Sequence, residues 1–372
     1  MKIISFYLPQ FHPIPENDAW WGKGFTEWTN VSKAQPLFDG HHQPHLPADL
    51  GFYDLRLEEA RIAQAGLAKA YGVGGFCYYH YWFNGKMLLE QPFNDVLASG
   101  KPDFPFCLCW ANENWSRRWD GLEQELLAAQ DYEVYDPSQH MEWLCRAFTD
   151  PRYIRIGEKP LFLVYWADHI PNVADVVADW RKEAKRILGT DIYICAMKSH
   201  RFGFTGAETI SAGFDALVNF HPHPNLLPKP DKARARRFFH KRINSFFRLF
   251  GLDSSKKFPI YSYYNYGRYI RNVLAAPQSG IKEFPCVFPT WDNTARKKTG
   301  AIVVQNTDSG LFDKWFRQAM RTVRQFEAEE QIVFVNAWNE WAEGCHLEPD
   351  SVDGTKFLEV IKKALDDHAG TV

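Results

Sequence analysis

The 372-residue sequence lacks the marks of several large protein classes. No apolar run approaches the roughly 18 residues that a membrane-spanning helix needs. A net charge of −2 leaves no bulk positive field for a nucleic-acid partner, and none is expected. There is no GxxxxGK[ST] loop, and Gly72-Val73-Gly74-Gly75 precedes a strand where a dinucleotide fingerprint would follow one. Neither a DxD clamp, an internal repeat nor a long linker is present. The seven cysteines are odd in number and sit in apolar stretches such as FPFCLCW and IYICAM, where a thiol behaves as a small hydrophobe. Cys107-Leu-Cys109 lacks the two-residue gap of a zinc knuckle, and His80, His221 and His223 form no HxxxH or HExxH, so neither metal nor cofactor is expected. The opening MKIISFYLPQFHPIP reads as a core strand and not as a secretion signal. A cytoplasmic location follows as an expectation.

Aromatic residues, by contrast, are plentiful: 14 Trp, 16 Tyr and 29 Phe, or 16% of the chain. Such flat faces with polar tips suit sugars, although a generously aromatic core would use them too. Eight short apolar runs stand out, at Ile3–Leu8, Gly75–Trp82, Phe104–Trp110, Leu161–Trp166, Ile192–Met197, Ala216–Phe220, Cys286–Thr290 and Ile332–Trp338. They are continuously apolar, as strands buried on both faces are. Helix-like periodicity falls between them at Asp54–Tyr71, Val173–Leu188, Leu311–Phe326 and Phe357–Leu365. Strand alternating with helix eight times predicts a single (β/α)8 TIM barrel spanning residues 1–372.

The interval between strands six and seven is too long for one crossover, which predicts an insertion over about 225–284. Its stretch from Pro228 to Lys257 holds ten Lys or Arg against Asp231 and Asp253, a net of +8 against −10 for the remainder. Phe239, Ile243, Phe246 and Phe250 recur at helical spacing within it, giving a basic amphipathic helix near 232–250. That helix packs its Phe stripe on the barrel, or it contacts an anionic inner-membrane face or a lipid-linked substrate.

Barrel active sites form at the C-terminal ends of the strands. Seven of the eight expected ends finish in aromatic, amide, imidazole or carboxylate groups. The candidate glycan-binding residues there are Tyr7, Gln10, His80, Tyr81, Trp110, Asn112, Glu113, Tyr165, His221, Trp291, Asp292, Asn339 and Trp341. Glycosidic bond cleavage needs one protonated and one ionised carboxyl group. Glu340 and Glu343, three residues apart, would face one way on a helical turn and split each other's pKa values. Alternatively one of them caps that turn or pairs with Arg296. Glu113 could partner Glu340 in a conventional retaining mechanism, pair with Arg117 or Arg118, or bind substrate.

The segments YLPQFHP…WWGKGFTEWTNV, GGFCYYHYWF, CWANENWSRRWDG and NAWNEWAEG…HLEP, in that order, resemble the WbsX-like proteins. These form a GH99-like group of bacterial surface-polysaccharide biosynthesis, some labelled glycosyltransferases. The resemblance runs from near residue 3 to about residue 350. It implies a TIM barrel related to the retaining endo-α-mannosidases, in which one Glu deprotonates the sugar's own 2-hydroxyl to give a 1,2-anhydro sugar and a second acts as acid, then base. Asn339-Glu340-Trp341-Ala342-Glu343-Gly344 matches that family's Asn-Glu-Trp-x-Glu-Gly motif. The match makes Glu340 the group that activates the 2-hydroxyl and Glu343 the acid/base. Tyr7 matches an active-site tyrosine on the first strand. The expected activity is a retaining glycoside hydrolase or transglycosylase acting on an α-linked bacterial surface polysaccharide, or on its lipid-linked precursor. The alternatives are a glycosyltransferase of O-antigen or capsule biosynthesis using an activated sugar donor, and a non-catalytic glycan binder.

Overall fold

Eight parallel strands close on themselves: β1 (Lys2–Tyr7), β2 (Gly75–Phe83), β3 (Phe106–Trp110), β4 (Lys159–Val164), β5 (Tyr193–Met197), β6 (Ala216–Asn219), β7 (Glu283–Val287) and β8 (Ile332–Val335). β1 pairs with both β2 and β8, with Ile4 opposite Gly75 and Ile3 opposite Val333. The computed structural model describes residues 1–117, 122–200, 202–231, 260–277, 279–297, 299–305 and 308–370. A helix follows each strand: α1 (Glu58–Ala70), α2 (Gln91–Ser99), α3 (Pro137–Phe148), α4 (Val173–Leu188), α5 (Gly206–Ser211), α6 (Tyr266–Ala275), α7 (Ser309–Val323) and α8 (Lys356–Ala369). This is the (β/α)8 barrel that the alternation of runs predicts.

Local chemistry accounts for the elements. β3 and β5 are buried at every position, because barrel residues face either the interior or the helices and both are dry. α4 buries Val173, Val177, Trp180 and Ala184, one stripe at helical spacing. It stops at Gly189, whose φ of 72° suits a residue without Cβ and whose N–H donates to the Lys185 carbonyl at 3.0 Å. Asp136 caps α3 by accepting from the N–H groups of Ser138 and Gln139 at 2.9 and 3.1 Å.

The strand bounds shift by up to three residues from the apolar runs, most at β7 and β8. β7 begins at Glu283, three residues before the run starts, because Glu283 is carried by an ion pair to Lys198 at 2.9 Å while its backbone pairs with Leu217. β8 ends at Val335, after which the chain turns across the barrel end and Trp338 donates its N–H to the Phe6 carbonyl at 2.7 Å. Between β6 and β7 the described residues include a strand, Ile260–Asn265, that leads into α6. It pairs in parallel with Thr299–Gln305, which pairs antiparallel with Trp291–Asp292, forming a small second sheet. The basic helix expected near 232–250 lies outside the described residues.

Inside the barrel, Phe6 stacks on Tyr79 at 5.7 Å and on Phe334 at 5.5 Å and meets Phe220 edge-on at 5.3 Å. Tyr165 meets Phe220 at 5.6 Å. These rings fill the interior beneath the C-terminal mouth. Among the described residues, no helix is long and apolar enough to cross a membrane.

Candidate active site

A cavity of about 470 Å³ opens above this aromatic layer. Tyr79, Phe220 and Tyr165 contribute to its lining, with Trp21, Tyr81, Trp115 and Trp291 among the other aromatic groups. Its polar lining includes Gln10, Glu113, Asn293, Arg296, Glu340 and Glu343. Gln10 donates from Nε2 to the Tyr81 hydroxyl at 2.9 Å, which fixes both side chains. Among the described residues, the buried Trp291 indole N–H has no hydrogen-bond partner and is a donor in need of an acceptor.

The carboxylates converge on one cation. Arg296 places Nη2 at 2.8 Å from Glu340 Oε1 and at 3.2 Å from Glu27 Oε2, while its Nη1 lies 3.1 Å from Glu343 Oε1. Glu343 sits in a single 3-10 turn, Trp341–Glu343, immediately after Glu340, so both carboxylates reach the same guanidinium. Gly344 ends the turn with a φ of 54°, and a Cβ there would lie 2.9–3.1 Å from Asp292, two of those contacts being backbone atoms. Only glycine combines that backbone with that approach.

Burial, first of all, holds the Glu340 carboxyl well above the usual carboxylate range. Arg296 opposes the shift, and Glu343 and Glu27 add to it. Glu27 is raised for the same leading reason, with Arg296 again opposing. Glu340 and Glu27 therefore each hold a proton more tightly than an exposed carboxyl would. The Arg296 pairing anticipated from sequence exists, and it takes in both members of the motif instead of removing one from the cavity.

Of the candidate residues, the cavity brings together Gln10, Tyr81, Glu113, Tyr165, Trp291, Glu340 and Glu343. The others lie one position off, and their side chains turn to protein partners and not to the cavity lining. Tyr7 packs on Tyr78 and donates to Gln64 Oε1 at 2.6 Å. His80 stacks on Trp143, with Nε2 at 3.0 Å from His140 Nε2. Trp110 donates to the Trp82 carbonyl at 3.2 Å. Asn112 ties to the Trp166 backbone, accepting at 2.8 Å and donating at 2.9 Å. His221 Nδ1 meets the Tyr269 hydroxyl at 2.8 Å. Asp292 accepts from His41 at 2.6 Å and Gln43 at 3.0 Å. Asn339 clamps the Leu8 backbone from both sides, at 2.8 and 3.0 Å. Trp341 donates to Glu348 Oε2 at 2.6 Å.

The reason is strand parity. Side chains alternate between barrel interior and helix layer, and the lining residues Leu8 and Gln10, Tyr79 and Tyr81, Ala111 and Glu113, Trp291 and Asn293 keep one phase. Tyr79 keeps phase with Tyr81, two residues on, and lines the cavity, although it is not among the expected site residues. Glu27 was not, because it comes from the short helix Glu27–Lys33 in the β1–α1 connection and reaches the site only through the fold.

Carboxylates, an arginine and aromatic rings thus share the C-terminal mouth of the (β/α)8 barrel. Residues 3–361 match the family described as glycosyltransferase WbsX, and the chain belongs to that family. It is 39% identical over 364 residues to the protein WxcX in two strains of Xanthomonas campestris pv. campestris, a match that covers 98% of this chain and 49% of those relatives. The chain thus spans about half the length of the curated relatives it matches. Its fold is shared with the GH99 endo-alpha-mannosidase from Bacteroides thetaiotaomicron, at a TM-score of 0.56 and 14% identity, covering 99% of this chain and 97% of that one. A glycoside hydrolase-like protein aligns at a TM-score of 0.58 and 14% identity, with 98% and 93% covered. Both likenesses concern the fold.

Proposed function

We propose that the chain is a retaining glycoside hydrolase or transglycosylase acting on an α-linked bacterial surface polysaccharide, or on its lipid-linked precursor. The observation that carries the reading is Arg296 binding Glu340 and Glu343 together at 2.8 and 3.1 Å on the wall of an aromatic-lined cavity. Burial raises the proton affinity of Glu340, which strengthens it as a base toward a sugar 2-hydroxyl. Glu343 then protonates the leaving oxygen and later deprotonates the incoming water or sugar hydroxyl. The 2-oxygen attacks the anomeric carbon as the glycosidic bond breaks, and a 1,2-anhydro sugar results.

Product analysis by NMR on surface glycan tests this. Cleavage with retained anomeric configuration is expected, and Glu343→Gln should lower kcat by about 10²–10⁴ while ligand binding persists. Unchanged turnover in that variant would remove Glu343 from the mechanism. A 2-deoxy substrate should be inert; its ready cleavage would favour Glu113 as a conventional partner of Glu340.

The family's description favours a second reading, a transferase using an activated sugar donor. Nucleotide release with chain extension and no cleavage, on a panel of nucleotide sugars, would select it. A peripheral contact of the basic 232–250 segment with an anionic membrane belongs with either reading.

A further inference from the structure

Outside the cavity, the β1–α1 connection lies against the chain that follows β8. Ala48 donates its N–H to the Pro349 carbonyl and Ser351 donates to that of Leu46, each at 2.9 Å. Three buried side chains meet at this seam: His45, His346 and Asp350. His45 Nδ1 is 2.9 Å from His346 Nε2 and 3.9 Å from Asp350 Oδ2, and His346 Nε2 is 3.8 Å from that same oxygen. The centre of this triangle lies about 2.1 Å from all three atoms, within the roughly 2.0–2.2 Å that zinc keeps from imidazole nitrogen and carboxylate oxygen.

The surroundings already aim these atoms. His346 Nδ1 donates to the Glu348 carbonyl at 2.8 Å, so its Nε2 carries a lone pair turned toward the triangle. Asp350 uses Oδ1 to accept from the Val352 and Asp353 N–H groups at 2.8 and 2.6 Å, which leaves Oδ2 facing the imidazoles. His42, half-buried, stacks on His45 and offers a donor within 4.8 Å of those of His45 and Asp350. Two imidazoles and a carboxylate at these separations, with the His42 nitrogen nearby, suit a four-coordinate divalent cation.

We propose that His45, His346 and Asp350, with His42 as the fourth ligand, bind a zinc-like divalent cation that staples the β1–α1 connection to the β8–α8 connection. The expectation of no metal rested on the spacing of His80, His221 and His223. These ligands are instead paired as His42-x-x-His45 and His346-x-x-x-Asp350 and meet only in the fold. On metal binding, the Nδ1 proton of His45 leaves for Nε2 or for solvent, and no redox step is involved. None of the four residues lines the cavity, so the site is structural and not catalytic.

The full chain, stripped with EDTA and dialysed, is titrated with Zn²⁺ by calorimetry and with Co²⁺ by optical absorption. One equivalent should bind, with the visible bands of a four-coordinate cobalt centre. Saturating Zn²⁺ should raise Tm by about 3 °C at a hundredfold excess over Kd. Asp350→Asn keeps the Oδ1 acceptor for the turn and should weaken binding at least tenfold; His42→Ala should weaken it and alter the cobalt spectrum. Absence of a one-equivalent site in the parent, or equal affinity in Asp350→Asn, would overturn the proposal and leave an ordinary imidazole–imidazole hydrogen bond. Should Asp350→Asn fail to fold, the parent titration and His42→Ala decide.

Discussion

Arg296 is the residue on which the electrostatics of the site turn. It is the cation shared by Glu27, Glu340 and Glu343, and replacing it with Met would leave buried carboxylates without a counter-charge. Breaking a buried ion pair from one side costs about 3–5 kcal/mol, which thermal unfolding of Arg296→Met should register. Adding Glu27→Gln should recover part of that loss, because one of the competing charges is gone. Glu348 offers a second residue-scale test. It accepts from Trp341, Tyr53 and Gln64 in a sealed pocket, and burial pushes its pKa up to about 7. An acid whose folded pKa lies above its unfolded value contributes stability that is intact below about pH 4.5 and is lost as pH rises through about 7. Glu348→Gln should therefore remove a decline on the order of 3 kcal/mol across that window. Equal pH slopes in variant and parent, by chemical denaturation, would show that Glu348 does not titrate there.

At the scale of elements, alternation separates the site from its support. Tyr81→Ala should raise KM for the proposed glycan substrate at least about tenfold through loss of a cavity-lining ring, whereas His80→Asn, one residue earlier, should lower Tm and leave KM unchanged. Gly344→Ala should destabilise by more than about 2 kcal/mol, since it combines a left-handed backbone with a backbone clash. Unfolding at unchanged Tm would mean that the turn after Glu343 can open. The strands and the motif pair were legible because apolar runs and the Asn-Glu-Trp-x-Glu-Gly segment are local. Parity was not legible. Strand ends such as Tyr78-Tyr79-His80-Tyr81-Trp82 are aromatic at every position, so no apolar-polar alternation says which ring faces the cavity and which the helices. Tyr7, His80, Trp110 and His221 read as site residues for that reason.

For the molecule as a whole, charge is unevenly placed along the sequence, with +8 between Pro228 and Lys257 against −10 elsewhere. Anionic vesicles should therefore retain the protein at low salt and release it as salt rises. Reversing Arg236, Arg237, Lys241 and Arg242 to Glu should abolish co-sedimentation; equal sedimentation of variant and parent would leave that segment only a packing role. The candidate site is likewise distributed: Glu27, Arg296 and Glu340 come from opposite ends of the sequence.

Closure of the barrel through the β1–β8 pair also sets a timetable for synthesis. β1 leaves the ribosome more than three hundred residues ahead of its second neighbour, β8. At about 5–20 residues per second, one apolar edge of β1 waits roughly 15–60 s for its partner. An uncovered edge of that kind invites pairing with other nascent chains. Yield of the folded protein should then respond to holding chaperones and to slower initiation more than to any change in the cavity at the barrel mouth.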